Sequence, residues 1–195
     1  MQKVDCLMLA AGLSSRMGSW KMMLPFGGST LLDTSIENAL GFCHRVVLVT
    51  GFRGAELRAR YQYDERIFLV DNPNYRDGMF SSIQAGAHHV EGEHTFMALG
   101  DMPCISSWIY SALWQERGEF TLIPRCFQGK GHPILLPASL ISKVKSSSPQ
   151  FSMKNIIQNE DHRFLELNEQ AIHWDIDTPD DYQRLARPVR IPQHS

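Results

Sequence analysis

Short apolar runs rich in β-branched residues recur along the chain at residues 4–10, Arg45–Thr50, Ile67–Asp71, 95–99 and 120–124. Runs of this length, bounded by polar or glycine-bearing segments, predict strands buried on both faces. Between them the period changes. Leu32, Ile36, Ala39 and Leu40 share one face of a helix that opens at Thr30-Leu31-Leu32-Asp33, a sequence resembling a capping box. Residues 81–90, 106–116, Ala138–Ser146 and 178–186 predict further helices, with Pro179 suited to the first turn of the last. Strands alternating with helices imply parallel pairing through crossovers. The expected fold is therefore α/β: a three-layer sandwich in which a Rossmann-like, mostly parallel sheet carries helices on both faces. Shorter apolar pieces at 133–137, 164–167 and 171–176 predict added edge or antiparallel strands.

Length and composition narrow this picture. A chain of 195 residues suits one domain with its own core, here placed at residues 1–187, and 188–195 read as a fraying tail. Net charge is -2 and charged residues make up 21%, which argues against a nucleic-acid glove or a polybasic membrane contact. Any affinity for phosphate must then be local. Cys6, Cys43, Cys104 and Cys126 form no C-x-x-C pair and no zinc-ribbon spacing, so reduced core thiols are expected. Residues 1–5 lack the character of a signal peptide and no run reaches membrane-spanning length, which predicts a cytoplasmic location.

Three segments carry chemistry. The first, Leu9-Ala10-Ala11-Gly12-Leu13-Ser14-Ser15-Arg16-Met17-Gly18, leads to Lys21 directly after the first predicted strand. Ligands of open α/β sheets bind beyond the carboxyl ends of strands, and small residues there let backbone N–H groups approach a polyphosphate. Arg16 and Lys21 add fixed positive charge. The segment has neither the G-K-[ST] of a Walker A loop nor the dinucleotide G-x-G-x-x-G; a plain flexible turn is the other reading. The second segment, Gly100-Asp101-Met102-Pro103, can aim a carboxylate over the same crevice, where a hard oxygen ligand suits Mg²⁺. As a bare motif it also reads as a turn. In the third, Asp175-Ile176-Asp177-Thr178-Pro179-Asp180-Asp181-Tyr182, Thr178 caps a helix and Asp180 and Asp181 complement its dipole, leaving Asp177 as a second metal ligand. His88, His89 and His94 lack carboxylate or cysteine partners and read as a solvated helix end.

In this order, L-A-A-G-L-S-S-R-M-G-x-x-K, G-D-M-P, G-H-P and I-D-T-P-D-D resemble the molybdenum cofactor cytidylyltransferases, over residues 7–182. The resemblance implies a nucleotide-diphospho-sugar transferase-like fold and transfer of CMP from CTP to the terminal phosphate of the molybdenum–molybdopterin cofactor. It implies that Leu9, Ala10, Ala11, Gly12, Arg16, Lys21, Asn72, Ser81, Gly100 and Asp101 bind the nucleotide, with Pro73 and Gly78-Met79 on the base and ribose side. Ser82, Gly131, His132 and Pro133 would face the acceptor, and Asp101 would hold Mg²⁺ or Mn²⁺, with Asp177, read from the acidic run alone, as the candidate second ligand. An apo molybdenum hydroxylase is the implied recipient. Ala11 resembles the pyrimidine-using relatives; Trp20, immediately before Lys21, is a bulky ring at a position where relatives vary. GTP as donor, a phosphosugar or alditol phosphate as acceptor, and a non-catalytic cofactor carrier are the alternatives.

Overall fold

The computed structural model describes residues 3–186. In chain order the elements are β1 (Asp5–Leu9), the short hairpin β2 (Pro25–Phe26) and β3 (Ser29–Thr30), α1 (Leu31–Leu40), β4 (Arg45–Thr50), α2 (Gly54–Tyr61), β5 (Ile67–Asp71), α3 (Met79–Ala87), β6 (His94–Leu99) and α4 (Ser107–Gln115). There follow β7 (Thr121–Cys126), β8 (Gly129–Lys130), β9 (Ile134–Pro137), α5 (Ala138–Ser146), α6 (Met153–Gln158), β10 (His162–Glu166) and α7 (Pro179–Ala186). The proposed tail lies outside the described residues.

Local rules account for the best-defined helix starts. Thr30 accepts from the Asp33 N–H while the Asp33 carboxylate accepts from the Thr30 N–H, the reciprocal box expected for α1. Thr178 and Asp181 make the same exchange at the start of α7. The main sheet runs β10-β7-β9-β6-β1-β4-β5, with β8 beside β7. β5, β4, β1 and β6 are parallel, β9 enters antiparallel between β6 and β7, and β10 pairs parallel with β7 at the edge.

Alternation along each strand sorts the core into two layers. Cys6, Met8, Val46, Leu48, Phe96 and Ala98 pack with Ile36 and Ala39 of α1, Leu57 of α2, and Ile109 and Leu113 of α4. Leu7, Leu9, Val47, Val49 and Met97 face the other side, against Phe80 and Ile83 of α3, Ile141 of α5 and Ile157 of α6. Each fully buried aliphatic side chain contributes roughly 1.5–3 kcal/mol, so this two-sided burial is what holds the parallel strands together. The four cysteines are free thiols; Cys6, Cys43 and Cys126 are buried in the core and Cys104 is half-buried.

Three expectations need correction. Residues 171–176 form no strand; Gln170–His173 is a 3₁₀ turn, and its Ile172 and the later Ile176 are buried by packing rather than by pairing. The helices α2 and α6 were not anticipated. His94 does not belong to a solvated helix end: it opens β6, is buried, and its Nε2 meets the Gly118 carbonyl at 2.9 Å.

Candidate active site

The register of the parallel strands decides where the loops go. Leu9 lies beside Val49 on one flank and beside Leu99 on the other, so the chain leaves β1, β4 and β6 on one rim of the sheet. Backbone bonds join these exits: the Ala10 N–H donates to Val49 O and the Gly100 N–H to Leu9 O, both at 2.9 Å. At Gly100 a side chain would meet Leu32 at 2.8 Å and Leu9 O at 3.2 Å, so the close approach of the two loops depends on the missing Cβ.

After β1 the chain makes two tight turns, Ser15–Met17 and Lys21–Met23. Ser14 enters the first in the left-handed region, with φ 54°, and its hydroxyl accepts from the Lys21 N–H at 3.3 Å. The lysine side chain turns inward and is only 7% exposed. Its Nζ donates to Asp101 Oδ2 at 2.6 Å and to Asp177 Oδ1 at 2.7 Å, while Arg16 Nη2 reaches Asp177 Oδ2 at 2.5 Å. Asp177 is brought beside Asp101 by the backbone: the Ile176 N–H donates to the Asp101 carbonyl at 3.0 Å. These side chains border a cleft of about 400 Å³.

The electrostatics of the cluster follow from its crowding. Burial alone would depress the Lys21 pKa, but the charges and hydrogen bonds of Asp101 and Asp177 outweigh it and raise the value above that of a free lysine. For Asp177, burial is likewise overcome, here by Lys21 and Arg16, and its carboxyl is held below the usual carboxylate range. Asp175 goes the other way. Burial, then the neighbouring charges of Asp177 and Asp101, push its pKa up. The other oxygen of Asp101, Oδ1, is shielded and has no hydrogen-bond partner among the described residues.

Of the residues singled out in the sequence, Leu9, Ala11, Gly12, Arg16, Lys21, Gly78, Met79, Ser82, Asp101 and Asp177 line the cleft. Ala10 and Gly100 sit behind it as the strand exits just described. Asn72 and Ser81 are also behind it: the buried Asn72 amide donates to the Ser81 and Ser82 hydroxyls at 3.0 Å and its oxygen accepts from the Asn74 N–H. That knot fixes the turn after β5 against the start of α3. Gly131, His132 and Pro133 precede β9, whose antiparallel pairing with β6 puts them on the same rim but outside the cleft wall. Burial lowers the His132 pKa, and its Nδ1 is shielded with no hydrogen-bond partner among the described residues. Sequence reasoning missed Tyr75 and Arg76, which close the cleft from the turn after β5, and gave Asp175 no role. The acidic run 175–181 was the signal for Asp175; nothing local marks Tyr75 or Arg76.

A model of the MobA-like NTP transferase domain matches residues 6–164. The chain belongs to the MobA-like NTP transferase family. It is 42% identical, over 93% of its own length and 95% of the relative's, to the molybdenum cofactor cytidylyltransferase of Escherichia coli K12. A probable molybdenum cofactor guanylyltransferase of Carboxydothermus hydrogenoformans is 24% identical over 96% of this chain and 97% of that one. Among solved structures, Rv0371c of Mycobacterium tuberculosis H37Rv superimposes with a TM-score of 0.83 at 21% identity, covering 96% of this chain and 100% of that chain. A manganese complex of the same mycobacterial protein gives 0.78 at 20% identity, covering 94% and 97%. For this member of the MobA-like family those structures establish the fold, and the family makes it a nucleotidyltransferase.

Proposed function

We propose that this chain transfers CMP from CTP to the terminal phosphate of the molybdenum–molybdopterin cofactor and releases pyrophosphate. The observation that carries the reading is the convergence of Arg16, Lys21, Asp101 and Asp177 on one cleft, from segments as much as 161 positions apart in sequence. The higher identity to a cytidylyltransferase than to the guanylyltransferases favours cytidine as the base.

Both reactants are anions, and two unit charges 4 Å apart repel by about 4 kcal/mol at a surface-like dielectric. Arg16 and Lys21 answer that repulsion by facing the triphosphate. An oxygen of the acceptor's phosphate forms the new bond to the α-phosphorus as the bond to the bridging oxygen of pyrophosphate breaks. A phosphate monoester is already ionised at neutral pH, so no activated serine or cysteine is needed and catalysis is positioning plus charge stabilisation. Among the described residues no group of three His, Cys, Asp or Glu is preassembled for a metal ion. Mg²⁺ commonly takes one or two carboxylates and completes its shell with substrate phosphates and water. The shielded, unpartnered Oδ1 of Asp101 beside Asp177 fits that requirement, so these two residues would hold Mg²⁺ or Mn²⁺. When bound, the ion supplies charge neutralisation for the polyphosphate. Ser82, Gly131, His132 and Pro133 are assigned to the acceptor side, with His132 as a contact to the acceptor rather than a general base, since the ionised phosphate nucleophile needs no proton removed.

The test is pyrophosphate release by purified protein with Mg²⁺ and a molybdopterin-type acceptor. Turnover with CTP and little with GTP is expected; equal or better turnover with GTP reverses the base assignment, and turnover with a phosphosugar instead reverses the acceptor. Among the described residues no helix is long and apolar enough to cross a membrane. We place the reaction in the cytoplasm and its product in a transient complex with an apo molybdenum hydroxylase, to be sought by pull-down.

A further inference from the structure

Two non-glycine residues among those described have a left-handed backbone, Ser14 with φ 54° and Arg53 with φ 56°. That conformation disfavours any residue with a Cβ and persists where surrounding contacts enforce it. Both residues border the same side hollow, outside the cleft and behind the loop that carries Arg16 and Lys21. Ser14 uses its conformation to receive the Lys21 N–H. Arg53, at the turn into α2, lays its guanidinium over the ring of Trp20 with its carbon 4.4 Å from the ring centre.

Trp20 is the residue immediately before the inward-facing lysine. Its ring is buried in the hydrophobic cluster that contains Met22 and Leu57, yet its indole N–H is shielded and has no hydrogen-bond partner among the described residues. Packing and the cation over its ring therefore hold it, not a directional bond. The turn carrying Arg53 is joined to the phosphate-facing loop at a second point, where the Phe52 N–H donates to the Ala11 carbonyl at 3.2 Å. Just before it, Gly51 runs so close that a Cβ would come within 3.0 Å of Ala11.

We propose that Arg53 is a positioning residue: by clamping Trp20 it holds the loop from Gly12 to Lys21 in the shape that receives the triphosphate. This rests on the triphosphate role given above to Lys21. The bulky ring before the lysine is then part of a clasp supplied by the second strand-to-helix turn, and the backbone strain at Arg53 is the cost of placing that clasp.

The experiment compares Arg53→Gly with Arg53→Ala. Both remove the guanidinium; only glycine also relieves the left-handed backbone. The alanine protein is expected to melt about 2–4 °C below the glycine protein. The two are expected to share a roughly three- to tenfold weaker dissociation constant for Mg²⁺ with CTP, and faster amide exchange in residues 12–21 of the nucleotide-free protein. Trp20→Phe, which keeps a ring under the guanidinium, should bind nucleotide close to wild type. Nucleotide affinity that follows melting temperature across the pair, or unaltered exchange in residues 12–21, overturns the proposal. Should wild type bind neither CTP nor GTP, the reading of the function fails, and the exchange measurement decides the clasp by itself.

Discussion

Lys21 is the residue on which the site's charge balance turns, because its ammonium bridges two carboxylates that would otherwise repel each other. Asp101→Asn keeps the shape but removes one of those charges, and by analogy with the loss of one preorganised transition-state contact it is expected to reduce turnover about 10²–10³-fold. Circular dichroism should show an intact fold; an unchanged rate would remove Asp101 from the machinery. Asp175 offers a test of opposite sign. Its pKa in the folded protein is raised, so the native state binds protons more readily than the unfolded chain, and stability declines as pH rises through the acid range. Asp175→Asn is therefore expected to melt higher than wild type at pH 7, with the advantage vanishing as pH falls below the ordinary aspartate value of 3.8. A melting curve at each pH measures it, and a gain that grows on acidification contradicts the assignment.

At the level of elements, Asp33 does more than cap α1. Its carboxylate also receives Arg60, the Tyr61 hydroxyl and the Ser29 hydroxyl, tying α2 and the β2–β3 hairpin to the start of α1. Asp33→Ala is expected to cost about 2–3 kcal/mol in urea unfolding, a lost cap plus a lost charged hydrogen bond, with pyrophosphate release unaltered at temperatures well below melting. The parallel strands and α1, α4 and α5 were legible because their apolar residues keep a clean period. The helix α2 was not: Gly54–Tyr61 carries Glu56, Arg58 and Arg60 and buries only Gly54, Leu57 and Tyr61, too few to mark a stripe. Residues 171–176 misled in the other direction. Their apolar residues suggested a strand, but the segment gives its backbone away singly, Ile172 O to the His132 N–H and the Ile176 N–H to Asp101 O. Such isolated long-range bonds leave no periodic trace.

Taken as a whole, the molecule assembles its site from loops on one rim of a sheet, and that rim could be inferred once the strands were read as parallel. The Gly12 loop and Asp101 were legible for this reason. Tyr75 and Arg76 were not, since their place in the cleft depends on the Asn72 knot rather than on any motif. A ligand that bridges loops from β1, β5 and β6 stabilises the folded state as a unit. Mg²⁺ with CTP at 100 times its dissociation constant is expected to add about 2.7 kcal/mol to unfolding, readable as a concentration-dependent melting temperature; the same nucleotide without metal should add less.

The bond between the Ile176 N–H and the Asp101 carbonyl has a practical corollary. Among the described residues every strand of the sheet is complete by Glu166, so half of the acidic pair is contributed by a segment that pairs with no strand and is held by the burial of Ile172 and Ile176. A protein shortened to end after β10 should lose its catalytic output and, with Ile172 and Ile176 gone from the core, melt well below the full chain; supplying the missing residues as a separate peptide is a direct way to ask whether stability and chemistry can be rejoined.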